Sequence, residues 1–128
     1  VAKDKRIITV FGCGGNRDRS KRPLMGAAAC KFSDTAIIPP DNPRFEEPME
    51  IIKEIESGIK GLFNNYAIIE DRKRAIEKAV SLASCGDIEM IAGKGHEKYQ
   101  IIKDKVMPFD DREVAREVLA RLRKIQCW

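Results

Sequence analysis

The strongest constraint on the fold is a repeated order. A short β-branched run, a break marked by glycine, proline or charge, and a stretch with apolar residues at helical spacing recur three times before residue 92. Arg6 to Phe11 (RIITVF) ends at Gly12, Thr35 to Ile38 ends at Pro39-Pro40, and Tyr66 to Ile69 and Ile88 to Ala92 follow as further strands. Strands that alternate with helices can pair in parallel only through crossovers. Right-handed crossovers then cover both faces of the sheet. The expected fold is therefore α/β, a doubly wound and mostly parallel sheet.

The intervening segments carry their own start and stop signals. Pro23 suits a first helical turn, and Leu24 to Phe32 continues it as an alanine-rich helix. A second helix starts near Pro48, presents Ile51, Ile52, Ile55 and Ile59 on one face, and stops around Gly58 to Gly61. Asp71 is placed to cap a third helix that holds Ala75, Ile76, Ala79, Val80 and Leu82. Tyr99 to Ile102 and Val106 to Phe109 flank Lys103-Asp-Lys105 as a hairpin or edge ribbon. Asp110 and Glu113 form a capping-box pair before a last helix with Val114, Val118, Leu119, Leu122 and Ile125 as its buried stripe, and Glu117 to Arg121 is an expected i,i+4 pair.

Length and composition narrow the class. With 128 residues, 43% hydrophobic and 34% charged, the chain has material for one domain and one core. No apolar run approaches the ~20 residues of a membrane span, and no leader is read at Val1, so a cytoplasmic protein without membrane contact is expected. The charge of +4 suits an anionic small molecule at least as well as nucleic acid. Cys13, Cys30, Cys85 and Cys127 show no C-x-x-C spacing, and free thiols with no metal site are expected.

In doubly wound sheets ligands gather at the carboxyl ends of the strands, and three unusual segments follow predicted strands directly. Gly12-Cys-Gly-Gly-Asn-Arg17 starts like a dinucleotide fingerprint but has Arg17 where the last glycine belongs. Its glycines and the cations Arg17, Arg19, Lys21 and Arg22 could still hold a carboxylate or phosphate, or simply form a tight turn with a solvated basic helix start. Asp41-Asn42-Pro43-Arg44 sets an anion, an amide and a planar cation within four residues. That chemistry can grip an amino acid's ammonium and carboxylate, although it also serves ordinary turns. Gly93-Lys-Gly-His-Glu97 is not a P-loop, because Ile88 stands at the first glycine position and Gly95 where Ser or Thr belongs. His96 is the only histidine, which excludes a multi-histidine metal site.

Read in order, FGCGGNRDRSKRPLMG (11–26), DNPRFEEP (41–48), AGKGHEKYQ (92–100) and FDDREVAREVL (109–119) resemble the C-terminal domain of the Mur ligases. The nearest branch is the one that adds the third residue of the peptidoglycan stem peptide. Asn16 in place of an aspartate, and Pro39-Pro40 in place of small polar residues, are departures from the family pattern.

The resemblance implies a Rossmann-like amino-acid-binding domain, residues 1–128, without the family's UDP-binding and central ATPase domains. It also implies a meso-diaminopimelate site made of Arg17, Asp41, Asn42, Pro43, Arg44, Gly93 and Glu97, with no catalytic residue in this segment. Arg17 and Arg44 would pair with carboxylate, and Glu97 and Asn42 would accept from ammonium. In the family, ATP and Mg²⁺ activate a D-glutamate carboxylate of UDP-MurNAc-L-Ala-D-Glu, and the amine then forms the amide. This segment would orient the nucleophile and would bind neither ATP nor metal alone. The rival reading is a stand-alone anion- or RNA-binding module using residues 17–22. Sparse aromatics, 6% of the chain, argue against nucleic acid.

Overall fold

Four parallel strands run in the order β3-β2-β1-β4 in a computed structural model that describes residues 5–94 and 97–122. In chain order the elements are β1 (Ile7–Phe11), α1 (Lys21–Phe32), β2 (Thr35–Ile38), α2 (Pro48–Glu56), β3 (Tyr66–Ile68), α3 (Arg72–Leu82) and β4 (Ile88–Ala92). The hairpin β5 (Tyr99–Ile102) and β6 (Lys105–Pro108) and the helix α4 (Asp111–Arg121) follow. The expected doubly wound α/β architecture is present. β1 pairs with β2 through Ile8–Thr35 and Val10–Ile37, and with β4 through Ile7–Ile88 to Phe11–Ala92.

Alternation along β1 divides the core between the two faces. Ile8 and Val10 point toward α3 and α4, where they join Ile37, Ala75, Ile76, Ala79, Val80 and Val118. Phe11 belongs to the opposite cluster, with Cys30, Ala36, Ile38, Ile51, Ile52, Ile55 and Ile59 beneath α1 and α2. Ile37, Ile38, Ile55, Ile59 and Ile76 are fully buried, each contributing about 1.5–3 kcal/mol by leaving water. Gly26 allows α1 to lie on α2, since a Cβ there would stand 2.7 Å from the Ile55 carbonyl oxygen.

Helix ends follow the sequence signals closely. Asp71 accepts from Arg74 N at 3.1 Å and Asp110 from Arg112 N at 2.9 Å, each capping a helix. α1 starts at Lys21, so Pro23 is its third residue, still within the first turn, where a missing N–H costs nothing. The expected pair of Glu117 with Arg121 does not form. Both reach across to α3, Arg121 to Glu77 at 3.0 Å and Glu117 to Lys73 at 3.5 Å, because α4 packs on α3 and offers nearer partners than its own surface.

One further expectation is corrected. Cys13 and Cys30 are free, but Cys85 is disulfide-bonded. Spacing along the chain does not reveal such a bond, which needs only two Cα atoms within about 7 Å in the fold. Ile125, His96, Cys127 and Trp128 also lie outside the described residues.

The amino-terminal edge of the sheet is closed by carboxylates. Asp34 accepts from Ile7 N at 2.7 Å, and Asp87 accepts from Ser84 N at 2.8 Å and Arg6 N at 3.0 Å. Those backbone donors hold the Asp87 carboxyl below the usual range. The carboxyl-terminal edge is instead occupied by the three unusual loops.

Candidate functional site at the carboxyl edge of the sheet

The loops after β1, β2 and β4 meet around a cleft of about 1060 Å³, and Arg17, Asp41, Asn42, Arg44, Gly93 and Glu97 all line it. Pro43 does not line it. Its carbonyl backs onto Gly15, where a Cβ would stand 1.8 Å from the Pro43 oxygen. The glycines of the first loop thus serve the close approach of two backbones. Gly15 N donates to Asn42 O at 2.7 Å, so this N–H is spent inside the protein and is not offered to an anion.

Asn42 is the hub of the second loop. It is only 1% exposed, and its amide is used at both ends. Nδ2 donates to Glu97 Oε1 at 2.8 Å, and Oδ1 accepts from Ile101 N at 2.6 Å. That oxygen keeps one lone pair, and beside it stands Glu97, whose Oε2 has only a 3.4 Å contact with the Tyr99 hydroxyl.

Arg44 has φ +55, the left-handed region that an arginine seldom enters. The hairpin holds it there. Arg44 N donates to Ile101 O at 2.9 Å, and Arg44 O accepts from Lys103 N at 2.5 Å. Nη1 donates to Gly15 O at 3.0 Å, and no carboxylate pairs with the guanidinium among the described residues. The result is a half-buried cation facing the cleft with donors to spare.

Asp41 is 6% exposed, and its Oδ1 has no hydrogen-bond partner among the described residues. Burial raises its carboxyl to about 6, against the opposing pull of Arg72 and Lys94, while Glu97 and Asp111 push it further up. Gly93, at φ +112, passes so close that a Cβ would stand 3.2 Å from Asp41 Oδ2. Cys13 also lines the cleft, but burial lifts its thiol to about 11, which leaves it protonated and inert.

Two buried arginines that the sequence did not single out for this task frame the site. Arg72 donates through Nε and Nη2 to Asp111 at 2.8 and 2.7 Å, and to Pro40 O and Ala92 O at 3.2 Å. One side chain therefore ties the ends of β2 and β4 to the start of α4. Arg22 donates to Glu46 at 3.1 and 2.9 Å, to Glu54 at 3.0 Å and to Gly14 O at 3.0 Å.

Arg19 also pairs with Glu54, so two of the cations expected to await an anion at 17–22 are neutralised internally. Glu46 in turn accepts from Asn16 N at 2.5 Å, and Arg22 with this N–H holds its carboxyl down at about 2. The only sequence signal for these arginines was negative: each lies in a helix where a buried apolar residue would complete the periodic stripe.

A doubly wound parallel sheet with facing acidic and basic loops at its carboxyl edge defines the class of α/β domains that take small ligands at a strand-end cleft. Residues 1–95 match the family model described as "Mur ligase, glutamate ligase domain", and the chain belongs to that family. It is 59% identical over 116 residues to the UDP-N-acetylmuramoyl-L-alanyl-D-glutamate--2,6-diaminopimelate ligase of Syntrophomonas wolfei, covering 90% of this chain and 24% of that protein. A ligase of the same name from Caldanaerobacter subterraneus is 56% identical over 119 residues, covering 93% of this chain and 25% of that one. A solved structure of a protein so named superposes with a TM-score of 0.86 at 42% identity, over 92% of this chain and 24% of its own length. The chain spans about a quarter of the length of the curated relatives it matches.

Proposed function

We propose that this chain is the amino-acid-binding C-terminal domain of a ligase of the MurE type, which adds meso-diaminopimelate to UDP-MurNAc-L-Ala-D-Glu in peptidoglycan synthesis. The observation that carries the reading is the juxtaposition, in one cleft, of a guanidinium and an acidic pair, Asp41 and Glu97, the guanidinium without a carboxylate partner and the acids with free acceptor capacity among the described residues. Diaminopimelate ends in an ammonium–carboxylate pair that lysine lacks. Arg44 and Arg17 offer donors to the carboxylate, and Glu97 and Asp41 accept from the ammonium. The names of the relatives support this choice of amino acid.

In this reading the segment does not hold ATP by itself; Gly15 N–H donating to Asn42 O and the Lys94 ammonium donating to Tyr99 O support it, because both are donors that a phosphate would need. Among the described residues no acidic, histidine or cysteine group is arranged to hold a metal ion. ATP and Mg²⁺ belong, in this reading, to segments of a longer polypeptide, together with the UDP-linked substrate and a cytoplasmic location. This domain contributes binding and orientation: it holds the far end of the amino acid so that the other amine is presented at a fixed angle and distance.

The stand-alone RNA-binding reading is not favoured, because Arg19 and Arg22 are committed to Glu46 and Glu54. The experiment is amino-acid-dependent phosphate release by the complete polypeptide, with meso-diaminopimelate and L-lysine compared. Use of the first over the second by two orders of magnitude or more is expected, and equal use defeats the reading.

A further inference from the structure

Lys94 is the least expected residue in the cleft. It is 2% exposed, yet it follows β4 at the edge where ligands gather, and it lines the cavity. Its ammonium donates to Tyr99 O and lies 5.6 Å from the Tyr99 ring centroid and 5.7 Å from that of Phe109. A methionine would fill the same slot between two rings without desolvating a charge. The charge therefore calls for a reason beyond packing.

The surrounding charges supply one. Four ionisable side chains from three parts of the fold influence Asp41: Arg72 from α3, Lys94 and Glu97 from the loop after β4, and Asp111 from α4. Cys13, from the loop after β1, also faces Asp41 but stays neutral. Arg72 gives the stronger pull on Asp41, but its bidentate bond to Asp111 ties it to a carboxylate that pushes the other way. Lys94, in the cleft wall itself, is the second opposing cation and adds the positive charge against Asp41 and Glu97, two carboxylates that otherwise repel each other. The same ammonium, through Tyr99 O, pins the segment that carries Glu97 and starts β5.

We propose that Lys94 is a positioning residue for the ammonium end of the amino-acid ligand: it fixes the start of β5 beside Glu97 and adds positive charge that lets Asp41 and Glu97 face one cleft together. Lys94 does not touch the ligand in this role. It acts through the two acids, which remain one cation short until an ammonium arrives. The inference rests on the amino-acid reading of the cleft, and its test separates the two.

In the complete polypeptide, Lys94→Met keeps an unbranched apolar stem against the rings but removes the charge and its bond to Tyr99 O, while Lys94→Arg keeps the charge in a bulkier form. Phosphate release is measured against meso-diaminopimelate concentration from pH 5.5 to 8.5. The expected result for Lys94→Met is a KM raised about tenfold with kcat within twofold, and an acid limb of log(kcat/KM) displaced to higher pH by about one unit. The sign follows from Asp41: with one of its two opposing cations gone, its carboxyl holds a proton to higher pH and cannot accept from an ammonium.

Lys94→Arg should keep the wild-type acid limb even if its KM rises. A purely structural role would raise KM equally at every pH in both variants, and that result, or an unchanged KM in Lys94→Met, overturns the proposal. If Lys94→Met fails to fold, carboxyl NMR of Asp41 in wild type and Lys94→Arg decides: closely similar titrations support the proposal, and divergence despite retained charge overturns it. Failure of the wild type itself to use diaminopimelate would instead defeat the reading of the cleft.

Discussion

Asn42 and Glu97, fifty-five positions apart, are joined by an amide-to-carboxylate hydrogen bond of 2.8 Å that fixes which end of the buried amide points at the acid. The other end is fixed by Ile101 N at 2.6 Å, so the amide cannot flip without losing both bonds. One of the Glu97 oxygens is thereby occupied and the other is left toward the cleft. Asn42→Asp replaces the donor with a second carboxylate against Glu97. It should destabilise the fold by about 1–3 kcal/mol at pH 7, read by urea unfolding, because the Asn42–Glu97 hydrogen bond is replaced by two facing acceptors.

Arg44 faces the cleft without a carboxylate of its own. Truncation removes a charge-assisted partner for a ligand carboxylate, an effect typically of about 2–5 kcal/mol. Arg44→Ala in the complete polypeptide should raise the diaminopimelate KM by orders of magnitude while the thermal midpoint moves little. A variant that binds diaminopimelate as tightly as wild type would remove Arg44 from the site.

Asp41 gives the isolated chain an unusual pH dependence. Its folded carboxyl, raised to about 6, lies above the unfolded value near 4, so the folded state binds more protons between those limits. Asp41 therefore costs stability as pH rises through that window, by up to about 2–3 kcal/mol above it. Asp41→Asn should gain part of this at pH 8 and nothing at pH 4, while losing ligand affinity. Denaturant midpoints for both proteins at the two pH values provide the check.

Glu46 carries the opposite sign. Its carboxyl, held down at about 2 by Arg22 and Asn16 N–H, contributes stability above pH 4.5 that is lost as pH falls toward 2. Arg22→Met should weaken that dependence, leaving the part due to Asn16 N–H, and loosen the loop that carries Arg17. Limited proteolysis near residues 14–19, compared at pH 7, should then be faster than in wild type.

The Arg72–Asp111 pair is buried and bidentate, so breaking it leaves an uncompensated carboxylate. Arg72→Met should cost about 3–5 kcal/mol, and adding Asp111→Leu should recover much of that loss. A double variant no more stable than the single one would show that Arg72 acts chiefly through Pro40 O and Ala92 O.

The sequence by itself determined the element order, the parallel doubly wound class, the helix starts at Asp71 and Asp110, and the gathering of three loops at one edge. Each of these follows from local periodicity, from capping chemistry, or from the geometric need of parallel strands for crossovers. Which polar groups in those loops are spent and which are free was decided only in three dimensions. Arg17, Arg19 and Arg22 look equivalent in the chain, yet Arg22 is buried on Glu46 and Glu54, Arg19 is paired with Glu54, and only Arg17 lines the cleft with no ion-pair partner among the described residues.

Glu117 and Arg121 have ideal helical spacing but pair with α3. Gly15 reads as an anion-binding glycine, yet it makes room for the Pro43 carbonyl. The physical reason is common to all of these. Hydrophobic periodicity acts over a few residues and is nearly additive, whereas a hydrogen bond or ion pair goes to whichever partner the packed backbone brings within about 3 Å. At the carboxyl edge, Arg22 reaches Glu46 across 24 positions and Ile101 reaches Asn42 across 59.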